Sequence, residues 1–175
     1  MTPGLRRVLM VRSSYAGKST LARALGARLG LPVIHLDRHY WQPGWAEPTP
    51  EAWGATVARL LQGEAWVMDG AFGSTLAQRL AVADTAVFLD RSRWLCLARI
   101  VRRRTGYAGQ SRPGLTEGCP ERGNAAFLHY VLSYPEARRR GVLARIVAAE
   151  GVRLVHLRPN RAAAAFLDGL PDEAG

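Results

Sequence analysis

The feature that most constrains this chain is a glycine-lysine-hydroxyl motif that lies between a strand pattern and a helix pattern. The apolar run at residues 8–11 precedes it, and leucines spaced four residues apart follow it at 21, 25 and 29. The motif itself reads Ala16-Gly17-Lys18-Ser19-Thr20. A strand, a tight turn and a helix in this order place backbone N–H groups at the helix N-terminus, where they bind phosphate groups.

Lys18 is the only lysine of the chain, although the sequence holds 24 lysine and arginine residues in total. A flexible ammonium at this place in the motif reaches the β- and γ-phosphates of a nucleotide. The hydroxyl of Ser19 then completes the coordination shell of Mg²⁺. The motif therefore predicts binding of ATP and Mg²⁺.

The loop departs from the full phosphate-binding pattern at two positions. Arg12 stands where the pattern has its first glycine, and Tyr15 stands where related loops often carry another. A side chain forced into the left-handed region costs roughly 1–2 kcal/mol, and a tyrosine ring takes up phosphate space. We expect weak ATP binding, unless the Arg12 guanidinium itself contacts a phosphate. The predicted ATP-binding segment comprises Arg12, Ser13, Ser14, Tyr15, Ala16, Gly17, Lys18, Ser19 and Thr20.

Length and composition favour one domain that spans residues 1–175. The chain is 48% hydrophobic, which is enough for a core of its own. Its 175 residues are too few for a second domain. Its apolar runs fall short of the about 18 residues that a membrane span needs, and the first residues lead into a strand. We expect a cytoplasmic protein without membrane contact, in which Cys96 and Cys119 are reduced and bind no metal.

The formal net charge of +10 favours anionic partners. Arginines concentrate at residues 102–104 and 138–140. Nucleic acid and a polyphosphate are two candidate partners, and solvated surface is an equal alternative for the second cluster. No helix-turn-helix or zinc-finger motif supports nucleic acid beyond the charge.

Strand and helix patterns alternate along the whole chain, which predicts an α/β fold with a parallel sheet covered on both faces. The predicted strands are residues 8–11, 33–36, 65–68, 85–89 and 152–157. The predicted helices are residues 18–29, 50–62 with Thr49 as N-cap, 92–104, 124–134, 135–149 and one from Asn160. Residues 39–45 form an aromatic loop, and the Gly- and Pro-rich residues 105–123 form a loop or lid.

Acidic residues follow three of the predicted strands, at the sheet edge where such folds bind ligands. Asp37 and Asp69 are candidate site residues, whereas Asp90 is favoured as a helix cap. His35 is interpreted as a core histidine, and His39 in the following loop as a candidate substrate contact. Trp41 and Trp45 are open to two interpretations of equal weight, stacking on a base or packing.

Several motifs together resemble one family. They are Ala16-Gly17-Lys18-Ser19-Thr20, residues 35–45, Val67-Met68-Asp69-Gly70, Phe88-Leu89-Asp90, residues 93–97, the arginine-rich helix end and Gly118-Cys119-Pro120-Glu121-Arg122. Over residues 5–167 the chain resembles the small bacterial P-loop proteins called adenylate-kinase-related kinases, some of which are named DNA topology modulation proteins.

The resemblance implies a nucleoside-monophosphate-kinase type of P-loop fold, with a five-stranded parallel sheet and a lid near residues 105–123. It implies transfer of phosphate from ATP, with Mg²⁺, to a nucleotide, a nucleoside or another small acceptor. Lys18 and Arg103 would act on the transferring phosphoryl group, and Arg99 would lie beside the nucleotide base. Asp37 would contact the acceptor through metal or water, Ser19 would bind the metal, and Asp69 would contact the metal through one of its water ligands. The remaining acceptor contacts would be His39, Trp41, Asp69 and Gly70.

The chain departs from that family beyond Gly70 as well, where Ala71 and Phe72 replace an expected Asn-Tyr pair. This change removes an amide and a hydroxyl that could orient a polar acceptor. Two alternatives to an active phosphotransferase follow. One is a catalytically impaired pseudokinase that only binds nucleotide, and the other is a DNA-binding topology modulator, whose affinity for duplex DNA would fall steeply with salt.

Overall fold

The computed structural model describes residues 5–11, 18–90, 136–158 and 160–170, and strands and helices alternate through them. The strands are β1 (Arg7–Val11), β2 (Val33–His35), β3 (Trp66–Asp69), β4 (Thr85–Leu89) and β5 (Arg153–Leu157). The α-helices are α1 (Lys18–Leu29), α2 (Leu36–Tyr40), α3 (Pro50–Leu60), α4 (Leu76–Leu80), α5 (Glu136–Val147) and α6 (Asn160–Asp168). Short 3₁₀ turns lie at Pro43–Trp45 and Gly73–Thr75.

The five strands form one parallel sheet in the order β2-β3-β1-β4-β5. The central strand β1 pairs with β3 on one side, where Met10 lies opposite Asp69, and with β4 on the other, where Val8 lies opposite Thr85. Because all strands run in the same direction, their carboxyl ends share one edge of the sheet. This confirms the predicted α/β fold with a five-stranded parallel sheet.

Alternate residues of the strands pack into two apolar cores, one on each face of the sheet. Val8 and Met10 pack with α1 and α6 on the first face. Leu9 and Val11 pack with α3, α4 and α5 on the second. Strands buried on both faces are typical of parallel sheets and explain why β1 and β4 read as continuous apolar runs.

Three local predictions from the sequence are confirmed closely. Helix α1 ends before Gly30, whose positive φ of 61° terminates it. The Thr49 hydroxyl accepts a hydrogen bond from the Ala52 N–H at 3.2 Å, as an N-cap does, and Pro50 opens α3. Strand β4 has the predicted bounds.

Other boundaries differ from the sequence prediction. Strand β2 ends at His35 instead of Leu36, and helix α2 begins where an irregular segment was expected. The reason is a tertiary contact, because the fully buried Leu36 packs against Gly70 at the end of β3. Helix α4 was not predicted, and α3 and α5 are two residues shorter at their ends than expected. The predicted helices 92–104 and 124–134 and the predicted lid lie outside the described residues.

In the described parts of the chain no helix combines the length and apolar character that crossing a lipid bilayer requires.

Candidate active site

The carboxyl ends of β1, β2 and β3 bring the candidate site residues together. Helix α1 begins with Lys18 beyond β1, on the face of the sheet that also carries Asp69. Asp69 is the last residue of β3, and the strand register pairs it with Met10 on one side and His35 on the other. Residues paired in this way project to the same face, so a hydroxyl, a carboxylate and an imidazole can meet there.

The Asp69 carboxylate is the centre of this cluster. The Ser19 hydroxyl donates to Asp69 Oδ2 at 2.5 Å, and His35 Nδ1 lies 3.2 Å from the same oxygen. The Asp69 side chain is only 6% exposed. The structure therefore places the predicted residues Lys18, Ser19 and Asp69 at one point and adds His35 to them.

Asp69 is ionised in spite of its burial. Burial alone would raise the pKa of this carboxyl group. The hydrogen bond from His35, the charge of Lys18 and the hydrogen bond from Ser19 oppose that effect, and together they hold the pKa below its ordinary value of 3.8. Asp69 thus carries a negative charge at neutral pH beside the Lys18 ammonium.

The chemistry of these donors fits Mg²⁺. A serine hydroxyl and a carboxylate are hard oxygen ligands, and Mg²⁺ in nucleotide sites takes one or two such groups and completes its shell with water and phosphate oxygens. The described residues hold no group of three or more His, Cys, Asp and Glu side chains suited to a metal ion. Ser19 and Asp69 are thus two oxygen donors of the kind that Mg²⁺ takes in nucleotide sites.

Asp37 lies in the first turn of α2, directly beyond the carboxyl end of β2. Its side chain is partly buried, and its carbonyl oxygen accepts a hydrogen bond from the Trp41 N–H at 3.1 Å. Gly70 allows α2 to approach, since a Cβ at position 70 would lie 2.6 Å from Leu36 Cβ. Close packing at Gly70 therefore sets the position of Asp37 relative to the end of β3.

His39 and Trp41 lie farther along the same segment. Much of His39 is exposed to solvent, although part of its side chain is buried. This partial burial is the main cause that lowers its pKa below 6.5, and the charges of Arg59 and Arg38 lower it further. It is therefore mostly neutral at neutral pH. The Trp41 ring meets Tyr40 edge-on, with centroids 4.9 Å apart.

An aromatic cluster joins this segment to α3 and to the chain after β3. The Tyr40 ring contacts Phe72 with centroids 4.5 Å apart and Trp53 with centroids 5.0 Å apart. The centroids of Trp53 and Phe72 lie 4.8 Å from each other. Trp41 and Trp45 contact each other edge-on at 5.2 Å. Of the two interpretations of Trp41 and Trp45, the structure thus shows the packing contact directly.

Arg79 is a residue that the sequence interpretation missed. Its side chain is 1% exposed, and its guanidinium donates to the carbonyl oxygens of Gly70 at 3.1 Å, of Thr75 at 3.4 Å and of Phe72. Burial, followed by the charge of Arg145, lowers the pKa of Arg79 to about 10, so it stays charged at neutral pH. Since Arg79 binds carbonyl oxygens in the segment that directly follows Asp69, it helps to shape the site.

A signal for Arg79 exists in the sequence, although it is weak. The arginine lies three residues after Leu76, which places it on the apolar face of the helix. A charged residue on such a face needs partners. Here they are backbone carbonyls, which no pattern of side chains reveals.

Asp90 occupies a different polar cluster on the other side of β1. Arg139 Nε donates to Asp90 Oδ1 at 3.1 Å, and Arg139 Nη2 donates to Oδ2. His156 Nε2 lies 3.0 Å from Oδ2. One of the two interpretations of residues 138–140 was that they form solvated surface. This interpretation is wrong for Arg139, because Arg139 forms an ion pair with Asp90. The helix that Asp90 was predicted to cap lies outside the described residues.

The remaining predicted site residues are placed as follows. Thr20 is exposed in the first turn of α1. Outside the described residues lie Arg12, Ser13, Ser14, Tyr15, Ala16, Gly17, Arg99 and Arg103.

Known structures share this fold. The shikimate kinase of Bacteroides thetaiotaomicron matches with a TM-score of 0.56 at 14% identity, over 93% of this chain and 94% of that one. A shikimate kinase of Acinetobacter baumannii in complex with shikimate matches with a TM-score of 0.55 at 18% identity, over 94% and 89%. A gluconokinase of Sinorhizobium meliloti 1021 matches with a TM-score of 0.55 at 20% identity, over 94% and 92%.

At such low identities the similarity shows that the chain shares the fold of these kinases. No protein-family model and no curated protein sequence matches the chain.

Proposed function

We propose that the chain is an ATP-dependent phosphotransferase that transfers the terminal phosphoryl group to a small acceptor. The observation that carries this proposal is the meeting of Lys18, Ser19 and Asp69 at the carboxyl end of a five-stranded parallel sheet. Phosphoryl transfer needs little covalent chemistry from a protein. It needs a site that binds phosphates, positions them and balances their charge, and this cluster has suitable groups.

Each residue of the cluster has a role of its own in this proposal. Lys18 balances charge on the β- and γ-phosphates from the start of α1. Ser19 and Asp69 would hold Mg²⁺, which when bound neutralises charge that builds up on the phosphate oxygens. Arg103 is proposed to contact the transferring group and Arg99 the nucleotide base, both from their place in the sequence motif.

The acceptor is proposed to bind between α2 and the chain that follows β3. Asp37 lies in the first turn of α2 on one side, and Arg79 holds the carbonyl oxygens of Gly70 and Phe72 on the other. Contacts from His39 and Trp41 would come from the same segment. The kinases of similar fold named for shikimate and gluconate support a small molecule as the acceptor class, with nucleotides and nucleosides included in it.

A screen of nucleotides, nucleosides, sugars and hydroxy acids with Mg·ATP, followed as ADP release, tests this function. At least one acceptor should raise ADP release above the rate with water alone. Lys18→Met should then lower kcat/KM about a hundredfold or more, because it removes charge that the transition state needs. Equal rates for both proteins would contradict the assigned role of Lys18.

Two other outcomes would replace the proposal. Saturable Mg·ATP binding without transfer to any acceptor would leave a nucleotide-binding pseudokinase. Binding to duplex DNA that weakens steeply with salt and is unchanged in Lys18→Met would instead favour a DNA-binding protein.

A further inference from the structure

His35 is a partly buried histidine at the carboxyl end of the sheet. It ends the edge strand β2, and the register places it directly opposite Asp69 on β3. Its side chain is 13% exposed, and its Nδ1 lies 3.2 Å from Asp69 Oδ2. Strand pairing therefore holds the imidazole beside the carboxylate without help from any loop.

The direction of this hydrogen bond follows from the charge of Asp69. An ionised carboxylate only accepts hydrogen bonds, so Nδ1 must carry the proton that lies between the two groups. The Ser19 hydroxyl donates to the same carboxylate oxygen, Oδ2, so both neighbouring groups act as donors toward Asp69. The ring then donates from Nδ1 whether or not Nε2 is also protonated.

The two donors to Asp69 hold it in different ways. Within the described residues, both the Ser19 hydroxyl and the His35 ring donate to Oδ2, and none donates to Oδ1. A serine hydroxyl is a rotor that can turn toward another acceptor, whereas the direction of an imidazole N–H is set by its ring. When Ser19 serves as a metal ligand, His35 is the donor whose geometry stays constant.

We propose that His35 is a positioning residue that fixes the orientation of the Asp69 carboxylate for magnesium binding. The inference rests on the proposed function, because it takes Asp69 as a group that holds Mg²⁺ with the nucleotide. Hydrogen bonds to ligating side chains typically contribute a factor of about 10–100 in metal affinity. An effect of this size is expected here, since a carboxylate free to rotate would satisfy the geometry of Mg²⁺ less often.

Three substitutions of His35 separate the hydrogen bond from the volume of the ring. In His35→Asn the amide N–H falls near the position of Nδ1, so the bond to Asp69 can form. In His35→Gln the amide lies one methylene farther out, near the position of Nε2. His35→Leu keeps an apolar side chain of similar size without any donor.

The measurement is Mn²⁺ affinity, followed by electron paramagnetic resonance in the presence of a non-hydrolysable ATP analogue. His35→Leu and His35→Gln should bind Mn²⁺ about 10–100-fold more weakly than the parent protein, and His35→Asn should bind it nearly as well. Thermal unfolding of each variant shows whether it is folded. If His35→Leu does not fold, the Asn and Gln pair still decides the question.

His156→Leu is the matched control, because His156 also contacts an aspartate, Asp90, which directly follows the neighbouring strand β4. It should leave Mn²⁺ affinity unchanged. Equal affinity in all three His35 variants and the parent would overturn the inference and leave the proposed function intact, as would a loss in His35→Asn equal to that in His35→Leu. Failure of the parent protein to bind Mn²⁺ with the nucleotide analogue would instead count against the proposed function.

Discussion

Two aspartates flank the central strand of the sheet and invite comparison. Asp69 ends β3 and Asp90 follows β4, and both of these strands pair with β1. Each carboxylate also contacts a histidine from the next strand outward, His35 in β2 or His156 in β5. The two halves of the sheet therefore repeat one arrangement of aspartate and histidine.

The difference lies in the second partner of each carboxylate. Arg139 binds both oxygens of Asp90, which is the strongest and most directional way to fix a carboxylate. Among the described residues, two donate hydrogen bonds to Asp69, both to Oδ2, and the flexible ammonium of Lys18 is a nearby cation. This comparison teaches that the Asp90 pair suits a structural role, whereas Asp69 retains the capacity to bind a ligand.

The largest expected effect tests that contrast through activity. Asp69→Asn should lower kcat/KM for phosphoryl transfer about 100–1000-fold, because it removes a preorganised charge beside the reacting phosphates. Asp90→Asn should change kcat/KM far less, since its amide can still accept one hydrogen bond from Arg139. Steady-state kinetics with the best acceptor measures both, and similar losses in the two variants would break the comparison.

The second effect concerns stability and should fall on the other aspartate. Asp90→Ala should lower the free energy of unfolding by about 2–3 kcal/mol, because it leaves the partly buried Arg139 charge without this carboxylate. Urea denaturation measures the change. The double variant Asp90→Ala with Arg139→Met should recover part of the loss, and strictly additive losses would show that the ion pair contributes nothing of its own.

A third prediction concerns the glycine beside Asp69. Gly70→Ala should destabilise the protein by about 1–3 kcal/mol and weaken acceptor binding, because the new Cβ would meet Leu36. Gly54→Ala is the matched control. It lies inside α3 with no atom within 4 Å of the new Cβ, so it should stabilise by about 0.5–1 kcal/mol. Urea midpoints that move in the same direction for both would contradict the packing argument.

A fourth prediction sharpens the phosphate side of the Asp69 cluster and comes from the sequence alone. Restoring the motif with Arg12→Gly and Tyr15→Gly should tighten Mg·ATP binding about 10–100-fold, since one or two side chains no longer oppose the loop conformation. Calorimetric titration of both proteins measures it. Unchanged or weaker binding would indicate that Arg12 is itself a phosphate ligand.

The smallest expected effect is a pH dependence of stability. The pKa of Asp69 in the folded protein lies below its unfolded value of 3.8, so its contribution is fully present above that pH. It is lost as the pH falls through the folded pKa. The difference in unfolding free energy between the parent and Asp69→Asn should therefore shrink as the pH falls below 3.8 and through the folded pKa. A constant difference would show that the carboxylate is not preferentially ionised in the fold.

Much of the fold could be predicted because it follows from local patterns. The apolar runs of β1 and β4, the Thr49 cap and the glycine after α1 each act through neighbours in the chain. Part of the site was predictable for the same reason. A Gly-Lys-Ser motif between a strand and a helix places Lys18 and Ser19 at a helix start wherever it occurs.

The short helices escaped prediction because distant packing decides them. Helix α2 depends on Leu36 meeting Gly70, residues 34 positions apart, and α4 places a charged Arg79 inside the core. A window of sequence contains the residues but not their partners. Helices this short gain little from propensity alone and form through tertiary contacts.

By itself the sequence determined the order of the strands and of the longer described helices, the parallel sheet and the Lys18–Ser19 pair, since all of these depend on spacing along the chain. Only the tertiary structure showed that Asp69 accepts hydrogen bonds from both Ser19 and His35. Strand order placed β3 beside β1 with its Asp69 under α1, and it brought His35 into register from the edge. Asp90 also follows a strand that pairs with β1, yet its partner is Arg139 of α5, because contacts between distant elements are set by how those elements pack and not by their order in the sequence.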